Sequence, residues 1–414
     1  MRRATTVAIL TLACAPASTG QQCDRGNAGL TLPAGFCAQV VAEGLVGARH
    51  MAVAPNGDLF IAVPDGRNNS GSGGVWALRD TTGDGRADVR IRVVEVANAQ
   101  DVALVSTASG GWLYYSTTNA VVRHAWVPGR LAVGEAQTIV SGMTDRRQHA
   151  AKTMEISSDG MLYVNIGAPS NSCQVADRQE RSPGQDPCPI LAEAGGIWRF
   201  NANRPDQTQA EGTRFATGIR NMVALELHPR TGALYGLQHG RDALGQIWGF
   251  SNEMSAELPA EEMFLLREGD DFGWPYCFYD GRQRRKVLMP EYGGDGNAVG
   301  RCADKENPLV AFPAHWAPNG LTFYTGAQFP QTYQGGAFIA FHGSWNRAPL
   351  PQEGYNLVFV PFVADGTPGA WAVFADGFRP DSRPVDLAVA PDGTLLVSDD
   401  RGGKIFRIRY RGGS

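Results

Sequence analysis

Six times along the chain, short runs of apolar, β-favouring residues flank a tight polar turn. The first copy spans residues 51–63 and turns at Pro55-Asn-Gly57, the second spans 102–117, and the third spans 154–167 with Ser157-Ser-Asp-Gly160 at its turn. The fourth spans 223–238 and turns at His228-Pro-Arg-Thr-Gly232. The fifth spans 320–341 with a longer connection, and the sixth spans 386–399 with Pro391-Asp-Gly393. Each copy carries the hairpin signal. A third strand is expected after most of them, at residues 74–78, 196–200, 245–250 and 403–408. A supersecondary unit repeated in this way points to an all-β, six-bladed β-propeller with four-stranded antiparallel blades. Candidate helices are short and fall in insertions.

Composition agrees with a turn-rich fold: 51 glycines and 25 prolines in 414 residues, with no collagen period. The N-terminus has Arg2 and Arg3, then an apolar run over 4–13, then small residues from Ala15 to Ser18. This reads as a secretory signal peptide over 1–20, since the run is too short to span a membrane, and leaves 21–414 as one propeller domain. Thr11-Leu12-Ala13-Cys14 also loosely resembles a lipoprotein cleavage site, which keeps a lipid anchor at Cys14 open as an alternative. No other segment reads as a membrane span. The net charge of −4 and the lack of a basic patch argue against nucleic acid as a partner. Beyond Cys14 there are six cysteines, which allow 15 pairings. Pairing nearest neighbours is simplest: Cys23 with Cys37, Cys173 with Cys188, and Cys277 with Cys302. That implies an oxidising compartment, periplasmic or extracellular.

Residues just before the first strand of a repeat, and just after its second strand, share one end of the propeller around the axis. Those positions hold Gln100, Asp101, Gln148, His149, Arg220, Asn221, His315, Trp316 and Arg383. The segments Gln238-His-Gly-Arg241 and His342-Gly-Ser-Trp-Asn-Arg347 join them. Cationic and amide groups collected in a funnel are costly without a ligand. Several arginines and histidines favour an anionic one, because guanidinium pairs with carboxylate bidentately. His50, His124 and His228 have no such setting.

At these residues the sequence resembles the soluble pyrroloquinoline quinone (PQQ)-dependent glucose/sorbosone dehydrogenase family, including the pyranose dehydrogenases, over nearly all of the chain after the leader. The resemblance rests on residues 148–167, which begin Gln148-His-Ala-Ala-Lys152, and on Gly218-Ile-Arg-Asn221. Gly269-Asp-Asp-Phe-Gly-Trp-Pro275, Trp316-Ala-Pro-Asn-Gly320 and residues 383–393 extend it. It implies a PQQ-dependent oxidoreductase that oxidises an aldose, an osone or a related sugar and passes electrons to an external acceptor. In that family's scheme His149 is the general base and Arg220 polarises the quinone oxygen. Gln100, Asn221 and Arg383 would hold the cofactor, and the carbonyls of Gly240 and Arg241 a calcium ion.

Three departures from the family pattern stand out. Gln148 replaces an Asp before the base, and His315 replaces a Thr near the cofactor. A cofactor-binding Lys has no clean counterpart, which leaves Arg347 or Ser344 as its substitute. These changes suit the sorbosone/pyranose branch better than the glucose branch. A second calcium loop is a candidate at Asp80, Thr82, Asp84, the Arg86 carbonyl and Asp88, with oxygens at alternating positions. Two other functions remain open: a calcium-dependent sugar lactonase and a non-catalytic carbohydrate-binding propeller. The first needs carboxylates grouped on an axial metal, whereas this axis reads as rich in Arg and His.

Overall fold

The computed structural model describes residues 22–65, 73–107, 110–146, 148–363 and 366–412. The leader expected over 1–20, with Cys14, lies outside them. Six sheets, each with four antiparallel strands, are arranged as the blades of a propeller, and the short strand Gln207–Thr208 joins the outer edge of the second in parallel. The first blade runs Met51–Val53, Leu59–Val63, Gly74–Arg79 and Val89–Glu95. The second runs Asp101–Thr107, Gly110–Ser116, Val121–Trp126 and Val133–Ser141. The third comprises Met154–Ile156, Met161–Ile166, Gly196–Asn201 and Thr213–Thr217. The fourth comprises Ala224–Leu227, Leu234–Gln238, Glu261–Leu266 and Val310–Phe312. The fifth comprises Pro318–Phe323, Ala337–Phe341, Asn356–Val360 and Ala372–Ala375.

The sixth blade closes the ring. Its inner strands are Pro384–Val389, Leu395–Asp399 and Lys404–Tyr410, and its outer strand is the N-terminal Phe36–Ala42. Phe36 pairs with Tyr410 and Val40 with Phe406, so the two ends of the chain are stitched in one sheet and no open edge is left between them. The six hairpins read from the sequence are the six inner strand pairs. Gly57 and Gly393 sit at their turns with φ of 90° and 81°, a region that glycine enters without a Cβ penalty.

Apolar side chains fill the spaces between blades. Between the fifth and sixth blades, Phe338, Phe359, Phe374 and Phe406 belong to one buried cluster, with Phe338 and Phe374 edge to face at 4.8 Å.

Three of the four expected third strands are present. The exception is residues 245–250: Leu244–Trp248 is a short α-helix, and the fourth blade takes Glu261–Leu266 as its third strand. Leu244 and Ile247, the buried residues of that helix, are three apart, a helical spacing that the local Gly-Gln-Ile-Trp pattern disguises.

Two long insertions, residues 168–195 and 267–309, rise over one end of the propeller. Disulfides join Cys173 to Cys188 and Cys277 to Cys302, and a third joins Cys23 to Cys37. An apolar cluster of Ala168, Cys173, Cys188, Leu244, Trp274, Phe278 and Met289 welds these insertions into one cap. Beneath it, Arg241 and Glu291 form a fully buried ion pair at 2.6 Å. Glu291 also accepts from Ser172 Oγ and Trp248 Nε1, each at 2.8 Å. The turn after the fourth blade's second strand is thereby tied to both insertions.

Candidate functional site

Under this cap lies a cavity of ≈ 250 Å³ lined by residues of the third, fourth and fifth blades. The blade entries supply Gln148, His149, Arg220 and His315. The loops after the second strands supply His239, Gly240, Asp242, Trp345 and Asn346. Arg178 enters from the first insertion, and Glu261 from the start of a third strand.

His149 is held in an unusual pose. Its backbone is left-handed, with φ of 54°, and its Nδ1 lies 2.5 Å from the Ala168 carbonyl oxygen. A carbonyl can only accept, so Nδ1 carries the proton and Nε2 is left as a lone-pair acceptor. Gly167 makes room for this: a Cβ there would stand 2.7 Å from both the Cβ and the carbonyl oxygen of His149. Burial, reinforced by the nearby Arg220 guanidinium, holds the imidazole well below its ordinary pKa. Burial likewise pushes His239 down to about 4 and lowers His315. All three rings are neutral at pH 7.

Arg220 is 3 % exposed and almost fully subscribed. Its Nε donates to Asn171 O at 3.2 Å, its Nη1 to Gly240 O at 2.8 Å, and its Nη2 to Asn171 Oδ1 at 3.0 Å and Asp242 Oδ2 at 2.8 Å. Arg178 donates from Nη2 to the same Asp242 oxygen at 2.9 Å and from Nε to Gln148 Oε1 at 3.1 Å. Asn346 Nδ2 meets Asp242 Oδ1 at 2.7 Å and His315 Nδ1 at 3.3 Å. Burial opposes the charge on Asp242, but Arg220 and Arg178 outweigh it and hold the carboxyl well below the usual range. Glu261 is different. It accepts from the N–H groups of Gly240 and Ala317, at 2.9 and 3.2 Å, yet burial pushes it up to about 8. Trp345, 69 % exposed, stands at the mouth.

The structure thus brings His149, Arg220, His315 and Gly240 to one cavity and leaves other expected residues off it. Asn221 is buried just behind: its Oδ1 accepts from Asn165 Nδ2 at 3.3 Å. Gln100 turns its Nε2 toward Asn98 O at 3.3 Å. Arg383 donates to the carbonyls of His342 and Gly343, at 2.9 and 2.6 Å. Arg347, expected as a cofactor contact, also lies off this cavity. It is 2 % exposed and spends its guanidinium on Ala256 O at 2.6 Å and Glu257 at 2.7 Å.

Of the two carbonyls expected to hold calcium, that of Gly240 accepts from Arg220 Nη1 at 2.8 Å. In the loop over residues 80–88, Asp80 caps the N–H groups of Thr82, Gly83 and Gly85, Asp84 that of Arg86, and Asp88 that of Thr81. Among the described residues, no three His, Cys, Asp or Glu side chains are grouped to hold a metal.

Arg178, Asp242 and Glu261 were not singled out from sequence. Nor were Glu155, Glu226 and Asp386 deeper in the channel, which together with Asp101, His50 and Asn319 surround a cavity of ≈ 70 Å³. The axis is therefore rich in Arg and His only at its mouth; farther in, it is acidic.

A family model described as TrAA12-like matches residues 30–411. An uncharacterized protein of Borreliella burgdorferi is 32% identical over 202 residues, covering 47% of this chain and 48% of that protein. A pyrroloquinoline quinone-dependent pyranose dehydrogenase of Coprinopsis cinerea is 24% identical over 335 residues, covering 69% of this chain and 43% of that protein. The chain thus spans about half, or less, of the length of these curated relatives. Among solved structures, the calcium structure of the Trichoderma reesei family AA12 enzyme superposes with a TM-score of 0.75 at 21% identity, covering 92% of this chain and 97% of that one. The holo PQQ domain of the Coprinopsis cinerea pyranose dehydrogenase gives 0.73 at 21% identity, with coverage of 92% and 97%. At such identities these likenesses establish the fold.

Proposed function

The chain belongs to the TrAA12-like family, and from that premise we propose that it is a PQQ-dependent sugar oxidoreductase with His149 as its general base. The observation that carries this reading is one cavity holding a neutral histidine with a free Nε2 beside two guanidiniums. The donor set suits PQQ, a planar tricarboxylate. Arg178, Arg220, Asn346 and Gln148 line the cavity with N–H groups that serve Asp242 and Asp177 and that a polycarboxylate would have to share, and Trp345 offers an exposed aromatic face. When bound, PQQ supplies a quinone able to accept a hydride.

The remaining chemistry belongs to the chain. His149 Nε2 takes the proton of the sugar hydroxyl at the carbon being oxidised, while the Ala168 carbonyl fixes the tautomer that can do so. Arg220 and Arg178 hold and polarise anionic oxygens in a site shielded by the cap, where such contacts are worth more than in water. Gln148, which stands where the family has an Asp, links Arg178 to Asp177: its Nε2 donates to Asp177 at 2.7 Å. Orientation of the base passes to Ala168 instead. A calcium ion at the Gly240 carbonyl would have to share that oxygen with Arg220, which donates to it at 2.8 Å. No step is assigned to calcium. The substrate class we read is an aldose, osone or related pyranose, with an external electron acceptor. The three disulfides support an exported protein.

The test is dye-linked oxidation of a panel of aldoses, osones and sugar lactones, with and without added PQQ, in the parent chain and His149→Ala. PQQ-dependent turnover that is lost in the variant is the expected result. PQQ-independent lactone hydrolysis, or no PQQ binding at all, overturns the reading.

A further inference from the structure

Two guanidiniums in one cavity would attract any small anion. Yet Arg220 and Arg178 converge on one carboxylate oxygen, Asp242 Oδ2, at 2.8 and 2.9 Å, while Asn346 takes Oδ1 at 2.7 Å. The main chain holds that carboxylate in place. The Asp242 N–H donates to Asn171 Oδ1 at 2.9 Å, and the preceding residue, Arg241, is locked to Glu291 with neither side chain exposed. Asp242 occupies the donors as the carboxylate of a bound ligand would, but it is tethered to the fold.

We propose that Asp242 is a specificity-determining residue, a built-in counter-ion that closes the arginine cradle to simple anions and leaves it open to a planar polycarboxylate able to make contacts beyond the two guanidiniums. A tethered group competes at a high effective concentration, so an untethered sulfate or phosphate, which offers nothing but charge, cannot displace it. A ligand that also stacks on Trp345 and meets Gln148 gains enough elsewhere to share the arginines with Asp242. Selectivity here comes from a device that penalises the wrong ligand. The identity of the favoured ligand rests on the PQQ reading; the exclusion of simple anions does not.

The experiment therefore begins without PQQ. Chain free of cofactor is titrated with sodium sulfate against sodium chloride at matched ionic strength, following melting temperature and heat of binding, for the parent and Asp242→Asn. Asp242→Ser, smaller and equally uncharged, gives the same readout where Asp242→Asn does not fold. The expected result is no sulfate-specific effect in the parent and sulfate binding at least about tenfold tighter in the neutral variant. That gain should vanish in Asp242→Asn/Arg178→Gln. Sulfate binding equal in parent and variant overturns the proposal, and so does a gain that survives loss of Arg178. A PQQ titration in the presence of sulfate follows. Sulfate should leave the parent's apparent Kd unchanged and raise that of the variant at least about tenfold. Failure of PQQ to bind either protein defeats the cofactor reading alone, because the sulfate arm has already judged Asp242.

Discussion

The Nδ1 of His149 and the carbonyl oxygen of Ala168 lie 2.5 Å apart, and this contact decides which nitrogen of the ring is free. Removing the ring in His149→Ala should cut turnover by at least about 100-fold. The fold and the cap should survive, because the ring's hydrogen bond goes to a single backbone carbonyl, that of Ala168 at the start of the first insertion. Burial and then Arg220 depress the pKa, so the base stays competent as pH falls through 6.5. The pH–kcat/KM profile should therefore be flat across neutrality and decline only in more acidic buffer. An acid limb centred at 6.5 would contradict that environment.

Arg220 reaches Asn171, Gly240 and Asp242 with three different nitrogens. A lysine has one, and cannot span them. Arg220→Lys should keep the charge and most of the stability but lower kcat by about 10²–10³, the range for loss of a preorganised donor. Steady-state kinetics beside a melting curve would separate the two effects.

How much of this was legible in the chain depends on whether a residue sits in a repeated pattern. The six inner hairpins were, because Asn56-Gly57, Asp159-Gly160 and Asp392-Gly393 mark their turns between apolar runs. The third strand of the fourth blade was not. Glu261–Leu266 opens with two acids, buried because one meets backbone N–H groups of the site loops and the other meets Lys286 at 2.8 Å. A pattern reading takes such acids for surface. Arg178 and Asp242 escaped for another reason. They lie in irregular segments whose course is set by the Cys173–Cys188 bridge and the Arg241–Glu291 pair, both tertiary features. Strand alternation alone gives no reason to enclose Glu155 and Glu226, but in a propeller the innermost strands of all six blades face one channel.

The Arg241–Glu291 pair carries the cap. Glu291→Gln keeps an acceptor for Ser172 and Trp248 but leaves the buried Arg241 without its counter-charge. Breaking a buried pair from one side should cost about 3–5 kcal/mol. Denaturant unfolding should show that loss, and PQQ affinity should drop with it because the Gly240–Asp242 turn loosens.

Reduction should act on the same region. Opening the Cys173–Cys188 bridge, which closes a separation of 15 residues, removes about 3 kcal/mol of constraint on the unfolded chain. Cys173→Ser/Cys188→Ser should lower the melting temperature and weaken cofactor binding through Arg178, while Cys23→Ser/Cys37→Ser should lower the melting temperature alone.

The channel below the site makes stability fall as pH rises. Asp386 is pushed from 3.8 to about 6 by burial, with its N–H partners and His50 recovering only part of the cost. A carboxyl raised on folding contributes stability below its unfolded pKa and loses it as pH climbs through the folded value. Glu155 and Glu226 are raised well above 4.5, first by burial, then Glu155 by Glu226, Asp101 and Asp386 and Glu226 by Asp386 and Asp101, so they act with the same sign. His50 adds to the trend at higher pH. Burial opposes its proton, but Asp101 and Asp386 overcome that and raise it from 6.5 to about 9, so its contribution is complete below 6.5 and lost as pH passes about 9. All four shifts thus favour the folded chain in mild acid and disfavour it in alkali. Glu226→Gln removes one like charge from the ring without changing its size. The variant should match the parent near pH 4, where the acid is already protonated, and melt at a higher temperature near pH 9, with a shallower slope between. Calorimetric melting across that range decides the matter, and parallel curves for the two proteins would show that the channel carboxylates do not repel one another as their enclosure implies.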